Sequence, residues 1–223
     1  MPVIAIDGPS ASGKGTVAQG VAQALGFHYL DSGAIYRVLG LAAVRAGKNL
    51  ENESDVLNIL LNIKIKFNKD YVFLDATDVS DAIRDEVISS AASKVSAHAV
   101  VRRELLAYQR TFRQAPGLVA DGRDMGSVVF TDAVLKFYLT ASAEARAKRR
   151  HKQLIDKGLD ANMTTLLQDI KLRDQRDSER AAAPLKKCPD AIGVDTTNLS
   201  AVQAIARVLE YCKGLPDASN AGV

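Results

Sequence analysis

The sequence has few of the residue types that most often carry covalent catalysis, metal binding or disulfide bonding. It contains two cysteines, three histidines and no tryptophan among 223 residues. Cys188 and Cys212 lack the close spacing of a metal site and give no disulfide framework, which suits a protein of the reducing cytosol. His28, His98 and His151 are scattered, so we expect no Ser-His-Asp or Cys-His set. The sequence therefore does not favour catalysis by a nucleophilic triad or by a cysteine- or histidine-bound metal.

The chain also lacks a strong charge of one sign and long apolar runs. Its net charge of +3 is too small for a protein that coats nucleic acid. No apolar run approaches the length of a membrane span, and the first predicted strand begins at residue 3, which leaves no room for a signal peptide. We therefore expect a cytoplasmic protein without a membrane or nucleic-acid partner. No long apolar surface pattern calls for a protein partner, so we expect a monomer.

What the sequence does have is a glycine-rich stretch at residues 4–16, which reads IAIDGPSASGKGT. A short apolar run predicts a buried strand at 3–6, and helical spacing begins at Thr16. Between them lie Gly8, Gly13 and Gly15, with Lys14 before the last. A glycine turn between a strand and a helix lets backbone N–H groups converge on an anion, and the lysine reaches terminal phosphates. The pattern predicts phosphate binding, although a Ser or Thr normally stands where Gly15 does; the alternative is a flexible turn beside a chance lysine.

The next elements alternate between strands and helices. Gly26 should end the first helix, and Asp31 and Ser32 offer N-cap chemistry for the second, which Gly47 closes. This order predicts a parallel sheet covered by helices, with ligands at the carboxyl ends of its strands. The predicted ranges are a helix at 16–25, a strand at 27–30 and a helix at 33–46.

The pattern changes between residues 49 and 92. A short helix is predicted at 54–62, and Ile63, Ile65 and Phe67 then alternate with polar residues, as in a strand. A polar Lys69-Asp70 turn leads into a second strand at 71–74, which predicts a hairpin and hence a small inserted β lobe.

The rest of the chain returns to longer helices and buried strands. A helix at 89–114 should break near His98 and end before Pro116-Gly117. Strands are predicted at 118–120, 134–139 and 191–194, helices at 142–157, 164–179 and 200–213, and a frayed tail at 215–223.

Arginines stand where phosphates would be bound. Phosphoryl transfer between nucleotides needs positioning and charge neutralisation more than covalent help, and guanidinium grips phosphate bidentately. Arg37 lies one turn into the second helix, and Arg123 follows the strand at 118–120. Helical offsets of three, four and seven residues place four residues on one face of the helix predicted at 164–179 and its end: Arg173, Arg176, Asp177 and Arg180. That face could equally be a solvated, ion-paired one.

A basic run at residues 146–152 has several interpretations. No aromatic residues are interleaved with it, so bases would find no stacking platform there. Binding of nucleic acid is the weakest interpretation, and a solvated face or contacts with nucleotide phosphates are the others.

Four segments together resemble the bacterial cytidylate kinases, a family of nucleoside monophosphate kinases. They are GPSASGKGT, LDSGAIYR, ADGRDMG and RDQRDSER followed by AAAPL, and the resemblance runs from residue 3 to about 211. Within that family the ending GKGT is the usual form of the loop, so Gly15 departs only from the general pattern. The resemblance implies ATP-dependent phosphorylation of CMP, and of dCMP, to the diphosphate by direct in-line transfer in pyrimidine nucleotide metabolism. Mg²⁺ would be the cofactor. A monophosphate kinase of other base preference and a non-catalytic nucleotide or RNA sensor remain alternatives.

The resemblance also assigns roles to individual residues. Lys14, Arg37, Arg123 and Arg180 would act on the transferring group, with the three arginines on the acceptor phosphate. Arg180 could instead face the base, and Arg103 competes with Arg102 for its position. The loop residues that would hold ATP are Gly8, Pro9, Ser10, Ala11, Ser12, Gly13, Lys14, Gly15 and Thr16. The residues that would bind CMP are Ser32, Arg37, Ser93, Arg102, Arg123, Asp124, Arg173, Asp177 and Arg180.

The chemistry of cytosine fits the residues assigned to it. Cytosine presents an amino donor and two acceptors, so Asp124 would accept from the amino group while Arg102 and Ser93 donate. Asp124 could instead be a turn residue that caps local N–H groups, and Ser93 a helix-surface serine. Asp121, at the end of a buried strand, could hold Mg²⁺ directly or through water, with help from the Thr16 hydroxyl. Its alternative role is a hydrogen bond to the loop itself.

The expected architecture is an α/β, three-layer P-loop fold with a parallel sheet, a small β insertion and a helical lid. A length of 223 residues supports one kinase domain. Its core would comprise residues 1–48, 90–148 and 185–214. The monophosphate-binding insertion would span about 49–89, the lid about 149–184 and the tail 215–223.

Overall fold

A computed structural model describes residues 1–68, 71–156 and 158–215. The predicted Lys69-Asp70 turn, Lys157 and the tail at 216–223 lie outside the described residues. The chain divides into two compact units, one formed by Met1–Leu30 and Arg110–Val223 and the other by Asp31–Gln109. The predicted division into core, insertion and lid stays a prediction.

Strands and helices alternate near both ends of the described chain, and pairs or runs of like elements lie between. In chain order they are β1 Val3–Asp7, α1 Lys14–Leu25, β2 His28–Asp31, α2 Ser32–Arg45, α3 Glu53–Asn62, β3 Ile65–Asn68, β4 Tyr71–Leu74, β5 Thr77–Asp78, α4 Glu86–Val95, α5 Ala99–Arg110, β6 Leu118–Gly122, β7 Leu135–Thr140, α6 Ala143–Ile155, α7 Met163–Glu179, β8 Ile192–Asp195 and α8 Ala201–Cys212.

The first unit is built on a five-stranded sheet with the order β2-β6-β1-β7-β8. The central strand β1 runs parallel to β6 and β7, and β7 runs parallel to β8. Every residue of β1 and β6 is buried, as expected for central strands covered on both faces. Register pairs Ile6 with Asp121, so the carboxyl ends of β1 and β6 lie side by side. The predicted α/β fold with a parallel sheet is confirmed.

Helices α1 and α8 cover one face of this sheet. Alternate strand residues such as Ile4, Ile6 and Phe137 form a core cluster with Val21 of α1 and Val208 of α8. The C-cap Gly26 has a left-handed φ of 66° and ends α1 as predicted. A capping box at Ser200 starts α8.

The second unit holds the small antiparallel sheet β3-β4-β5. The predicted hairpin is confirmed, with Ile65 opposite Leu74 and Phe67 opposite Val72. Their side chains pack with those of α2 around Val38. The short strand β5 was not predicted, because two exposed residues carry no periodicity.

Several boundaries differ from the prediction. The helix expected at 89–114 is broken near His98, as predicted, but it begins at Glu86, where the Asp85 carboxylate accepts the Val87 N–H. It ends at Arg110 rather than 114. A 3₁₀ turn at Ala82–Arg84 and a π-helical segment at Met125–Val129 were also missed. In the described part of the chain, no helix combines the length and apolar character needed to cross a membrane.

Candidate active site

The glycine loop lies between β1 and α1, as predicted. Ala11 and Gly13 adopt left-handed φ values of 57° and 89°. Such turns direct successive backbone N–H groups into one concavity, which binds anions. A Cβ at Gly8 would lie 2.1 Å from the Leu139 carbonyl oxygen, so the chain passes too close to β7 for any side chain there. The loop therefore has the backbone of a phosphate cradle.

Asp121 packs closely against the loop at Lys14 and Gly15. A Cβ at Gly15 would lie 3.2 Å from Asp121 Oδ2 and 3.8 Å from the Tyr29 hydroxyl oxygen. The Tyr29 hydroxyl donates to the same Oδ2 at 3.3 Å. Lys14 Nζ lies 3.6 Å from Asp121 Oδ1. Asp121 thus forms an ion pair with the loop lysine. This contact resembles the alternative role given above, in which Asp121 binds the loop instead of Mg²⁺.

Two arginines of the basic run bind loop carbonyls. Arg146 donates to the Ser10 carbonyl oxygen at 3.2 Å, and Arg149 donates to that of Ser12 at 3.3 Å. Arg146 is buried and also forms a bidentate pair with Asp174 of α7. For Arg146 the interpretation as a solvated residue is therefore wrong. Both arginines are committed to backbone groups of the loop in this structure.

Thr196, directly after β8, binds the same part of the loop. Its hydroxyl lies 2.8 Å from the Ser12 carbonyl oxygen and 3.0 Å from that of Thr140. Arg149 donates to both the hydroxyl and the carbonyl of Thr196. Sequence analysis missed this residue, because a lone threonine after a strand carries no local pattern.

Asp7, the last residue of β1, anchors the turn that contains Arg123 and Asp124. Its two carboxylate oxygens accept the N–H groups of Met125 at 2.8 Å and Gly126 at 2.9 Å. Desolvation by burial raises the pKa of Asp7 to about 7; the two N–H groups oppose the rise, and the charges of Asp124 and Asp121 add to it. Asp7 was not singled out from the sequence, although its place just before the glycine loop was a usable signal.

Two predicted arginines of the first unit each lie beside a predicted carboxylate. Arg123 Nε donates to Asp177 Oδ2 at 2.8 Å, with the two side chains only 15% and 6% exposed. Arg180 Nη2 lies 4.0 Å from Asp124 Oδ1, and Arg180 Nε donates to the Ala183 carbonyl oxygen. Both side chains of this second pair are buried. Arg180 thus lies beside the carboxylate assigned to cytosine.

Opposing charges set the protonation of the Arg123–Asp177 pair. Burial by itself would raise the pKa of Asp177, but the charges of Arg123, Arg173 and Arg180 and the hydrogen bond from Arg123 lower it below 3.8. Burial likewise opposes the charge on Arg123, yet Asp177, Asp121 and Asp7 raise the pKa of the guanidinium. Both groups are therefore charged at neutral pH.

In the second unit, the start of α2 presents Ser32 and Arg37. The Asp31 carboxylate accepts the Ala34 N–H as the N-cap, which confirms the predicted helix start. Ser32 is buried. Arg37, one turn further along α2, donates to the Ile83 carbonyl oxygen at 3.3 Å. That contact ties the Arg37 side chain to the 3₁₀ turn.

Ser93 and Arg102 also belong to the second unit. Ser93 is buried, so the surface-serine interpretation is wrong. Arg102 is 8% exposed, donates to the Ser96 carbonyl oxygen at 3.2 Å and lies over the ring of Tyr36 at 5.3 Å. The side chain of Arg103 is 72% exposed and contacts Glu104. Between the two neighbouring arginines, burial favours Arg102.

Asp121 is the carboxylate predicted to hold Mg²⁺. Within residues 1–68, 71–156 and 158–215, no group of three or more His, Cys, Asp or Glu side chains is arranged to hold a metal ion. Asp121 is buried beside the loop, and Thr16 at the start of α1 is exposed. A phosphate-bound Mg²⁺ needs only one or two protein oxygens and no dedicated cage, so the assignment of Asp121 and Thr16 to the ion stays a prediction.

The parallel sheet, the phosphate cradle at the end of β1 and the buried arginines beside it define a P-loop phosphotransferase. The sequence model described as cytidylate kinase matches residues 4–214. The chain belongs to the cytidylate kinase family, as its resemblance to that family indicated.

Curated relatives match along nearly their whole length. The cytidylate kinase of Nitrosomonas europaea is 52% identical over 94% of this chain and 94% of its own. Those of Burkholderia vietnamiensis and Cupriavidus necator are 55% and 54% identical, over 96% and 97% of this chain and 94% and 98% of theirs. Likeness to solved structures is lower: TT1252 from Thermus thermophilus has a TM-score of 0.44 at 17% identity, covering 95% of each chain. That TM-score is too low to support any conclusion about this chain.

Proposed function

We propose that this chain transfers the terminal phosphoryl group of ATP to CMP, and to dCMP, forming ADP and the cytidine diphosphate. The observation that carries the proposal is the loop of residues 8–16 in a chain that matches the cytidylate kinase family over residues 4–214. The loop supports ATP as the donor. The family supports CMP as the acceptor.

The loop would bind ATP through its backbone and one side chain. Left-handed turns at Ala11 and Gly13 and the first turn of α1 supply N–H donors, and Gly13, as N-cap, brings no side chain to compete for them. Lys14 would reach from Asp121 to the phosphates, which are the stronger anionic partner. The remaining loop residues, from Gly8 to Thr16, shape this cradle.

The acceptor phosphate would be held by Arg37, Arg123 and Arg180. A nucleoside monophosphate has a second phosphate pKa of about 6, so it is largely a dianion at neutral pH and attacks without a general base. Catalysis then depends on alignment and on neutralising charge that builds up between donor and acceptor. The raised pKa of Arg123 supports a permanent positive charge in that role.

Cytosine and ribose would be recognised by the remaining assigned residues. Asp124 accepts from the amino group of cytosine, and Arg102 and Ser93 donate to its ring acceptors. In uracil a carbonyl replaces the amino group and faces a carboxylate, which leaves both acceptors unpaired. Arg173 and Asp177 would contact the ribose. The burial of Asp124, Ser93 and Arg102 supports these roles, because buried polar groups discriminate more strongly than exposed ones.

Asp121 and Thr16 would hold Mg²⁺, directly or through water, and the ion when bound neutralises donor phosphate oxygens. Both are hard oxygen ligands beside the loop. The ion would then compete with Lys14 for the Asp121 carboxylate, since Lys14 Nζ lies 3.6 Å from Asp121 Oδ1.

The lid at about 149–184 would close over bound ATP through arginine contacts with phosphate. A cytoplasmic location and a monomeric state are also proposed, on the grounds given by the sequence. Arg146 and Arg149 donate to loop carbonyls, which argues against their use in binding RNA.

A steady-state assay with ATP, Mg²⁺ and a panel of CMP, dCMP, UMP and AMP tests the proposal. We expect kcat/KM to be highest for CMP and dCMP, with UMP weaker by orders of magnitude because of the buried carboxylate. Turnover of UMP or AMP at least equal to that of CMP would support a kinase of other base preference. No turnover of any monophosphate would refute the kinase proposal.

A further inference from the structure

The peptide units of the phosphate loop are held by side chains from outside the loop. In a planar trans peptide, the C=O and the N–H of the next residue point in opposite directions. A donor bound to the Ser12 carbonyl therefore fixes the direction of the Gly13 N–H. Arg146 has the same relation to the Ser10 carbonyl and the Ala11 N–H. Outward carbonyls and inward N–H groups are the geometry that a phosphate cradle requires.

Thr196 makes the shortest of these contacts to the loop. Its hydroxyl oxygen lies 2.8 Å from the Ser12 carbonyl oxygen. The Thr140 carbonyl, 3.0 Å from the same hydroxyl, already accepts the Thr196 backbone N–H at 2.8 Å. The Ser12 carbonyl is the nearer acceptor, and its other donor, Arg149, is at a longer 3.3 Å, so the single hydroxyl proton is best used on Ser12. Arg149 Nη1 donates to the hydroxyl at 3.0 Å, which occupies a lone pair and leaves that proton available.

Because Thr196 is buried, its hydrogen bond to the Ser12 carbonyl is not easily replaced by one from water. Thr196 is 2% exposed, so water does not readily replace its hydroxyl if the hydroxyl is removed. The donor that would remain on the Ser12 carbonyl, Arg149, is at 3.3 Å, the longer of the two contacts. Loss of the hydroxyl therefore leaves the Ser12–Gly13 peptide less firmly held.

We infer that Thr196 is a positioning residue for the phosphoryl donor: its hydroxyl holds the Ser12–Gly13 peptide with the Gly13 N–H directed into the phosphate cradle. Thr196 touches no reacting atom in this role and acts through the loop backbone. The inference rests on the proposed function, since it takes the ligand of the cradle to be the phosphates of ATP. Its effect should fall on the donor nucleotide and spare CMP.

The test is a series of substitutions at this position with a matched control. Thr196→Val keeps the shape and removes the hydroxyl, Thr196→Ser keeps the hydroxyl, and Thr196→Cys offers a weak thiol donor. The control is Thr197→Val. The Thr197 hydroxyl donates to Asp195 and accepts the Ser142 N–H, and both of these partners lie outside the loop. For each variant, KM for ATP, KM for CMP and kcat are measured, together with ATP affinity by titration calorimetry without CMP.

We expect Thr196→Val to raise KM and Kd for ATP by about tenfold to a hundredfold, because small misplacements of binding groups have effects of that size. KM for CMP should stay within about twofold of the wild type, Ser should restore ATP binding, and Cys should fall between Ser and Val. Thr197→Val should bind ATP like the wild type even if it melts at a lower temperature.

Other outcomes overturn the inference. It is wrong if Thr196→Val binds ATP as the wild type does, if Thr196→Val and Thr197→Val weaken both nucleotides alike, or if Ser behaves like Val. Should Thr196→Val fail to fold, the comparison of Ser with Cys decides, and equal ATP affinity in the two counts against the role. If the wild type transfers no phosphate to CMP, the proposed function fails, while the calorimetric ATP affinities still decide the role of Thr196.

Discussion

The buried pair of Arg123 and Asp177 gives the clearest energetic prediction. The Asp177→Ala substitution leaves Arg123, Arg173 and Arg180 facing one another without the carboxylate that lowers their mutual repulsion. Removing one partner of a buried pair costs about 3–5 kcal/mol. Here Arg123 loses the carboxylate that accepts its hydrogen bond, and the weaker attraction to Asp121 and Asp7 offsets only part of that loss. Arg123→Ala should cost less, about 1.5–3 kcal/mol, the value of a hydrogen bond to a charged group, since Asp177 keeps two other arginines. The structure thus predicts that Asp177→Ala lowers the free energy of unfolding more than Arg123→Ala does.

The effect has a definite pH dependence. The pKa of Asp177 is lowered in the folded protein from the ordinary 3.8. A depressed carboxyl pKa contributes stability that is fully present above the unfolded value and is lost as the pH falls through the folded value. The difference between wild type and Asp177→Ala should therefore be full at pH 7 and shrink below about pH 4.

Urea unfolding, followed by circular dichroism without nucleotide, measures these differences. Asp169→Ala is the matched control, because Asp169 is an exposed carboxylate on the same helix α7. It should change the free energy of unfolding by less than about 0.5 kcal/mol. The reasoning is refuted if Asp177→Ala costs no more than Asp169→Ala at pH 7, or if its deficit is undiminished at pH 3.

Four further predictions address the loop, the base and the lid. Lys14→Met should lower kcat for phosphoryl transfer at least about a hundredfold in a protein that still folds, and near-normal kcat would remove Lys14 from the site. Asp124→Asn should narrow the CMP-over-UMP ratio of kcat/KM, because an amide can donate where a carboxylate only accepts; an unchanged ratio contradicts the base contact. Gly8→Ala should prevent stable folding, since its Cβ would lie 2.1 Å from the Leu139 carbonyl oxygen, whereas Gly47→Ala, with open space and a φ of 63°, should cost only about 1–2 kcal/mol in urea unfolding. ATP with CMP should protect α7 from limited proteolysis, and equal cleavage with and without nucleotides argues against lid closure.

Local chemistry made much of this fold predictable from the sequence. Asp31, Gly26 and Ser200 act at helix ends through side chains or φ values that depend on near neighbours. Buried strands such as β1 and β6 stand out as apolar runs between turns. The glycine loop could be placed because its strand, turn and helix are contiguous. Most boundaries accordingly fall within a few residues of their predicted positions.

The contacts that hold the candidate site together are long-range and carried no such local pattern. In the sequence, Arg146 and Arg149 are indistinguishable from residues of an ordinary basic helix face. Only the fold shows that they donate to the Ser10 and Ser12 carbonyls. Thr196 and Asp7 act through backbone groups of distant segments, so neither belongs to a spaced motif. The π-helical segment after Asp124 likewise depends on the Asp7 carboxylate beneath its first N–H groups.

Gly15 shows how a departure from a motif can have a cause elsewhere in the chain. Register places Asp121 beside Ile6, at the edge of the sheet where α1 begins. Its carboxylate there lies within reach of Lys14 and would crowd any Cβ at position 15. A side chain after the lysine would therefore require a small shift of the Asp121 carboxylate. The hydroxyl that the general motif places at this position is available instead at Thr16, which is exposed on the next residue. Glycine after the lysine thus leaves room for the Asp121 carboxylate beside the start of α1.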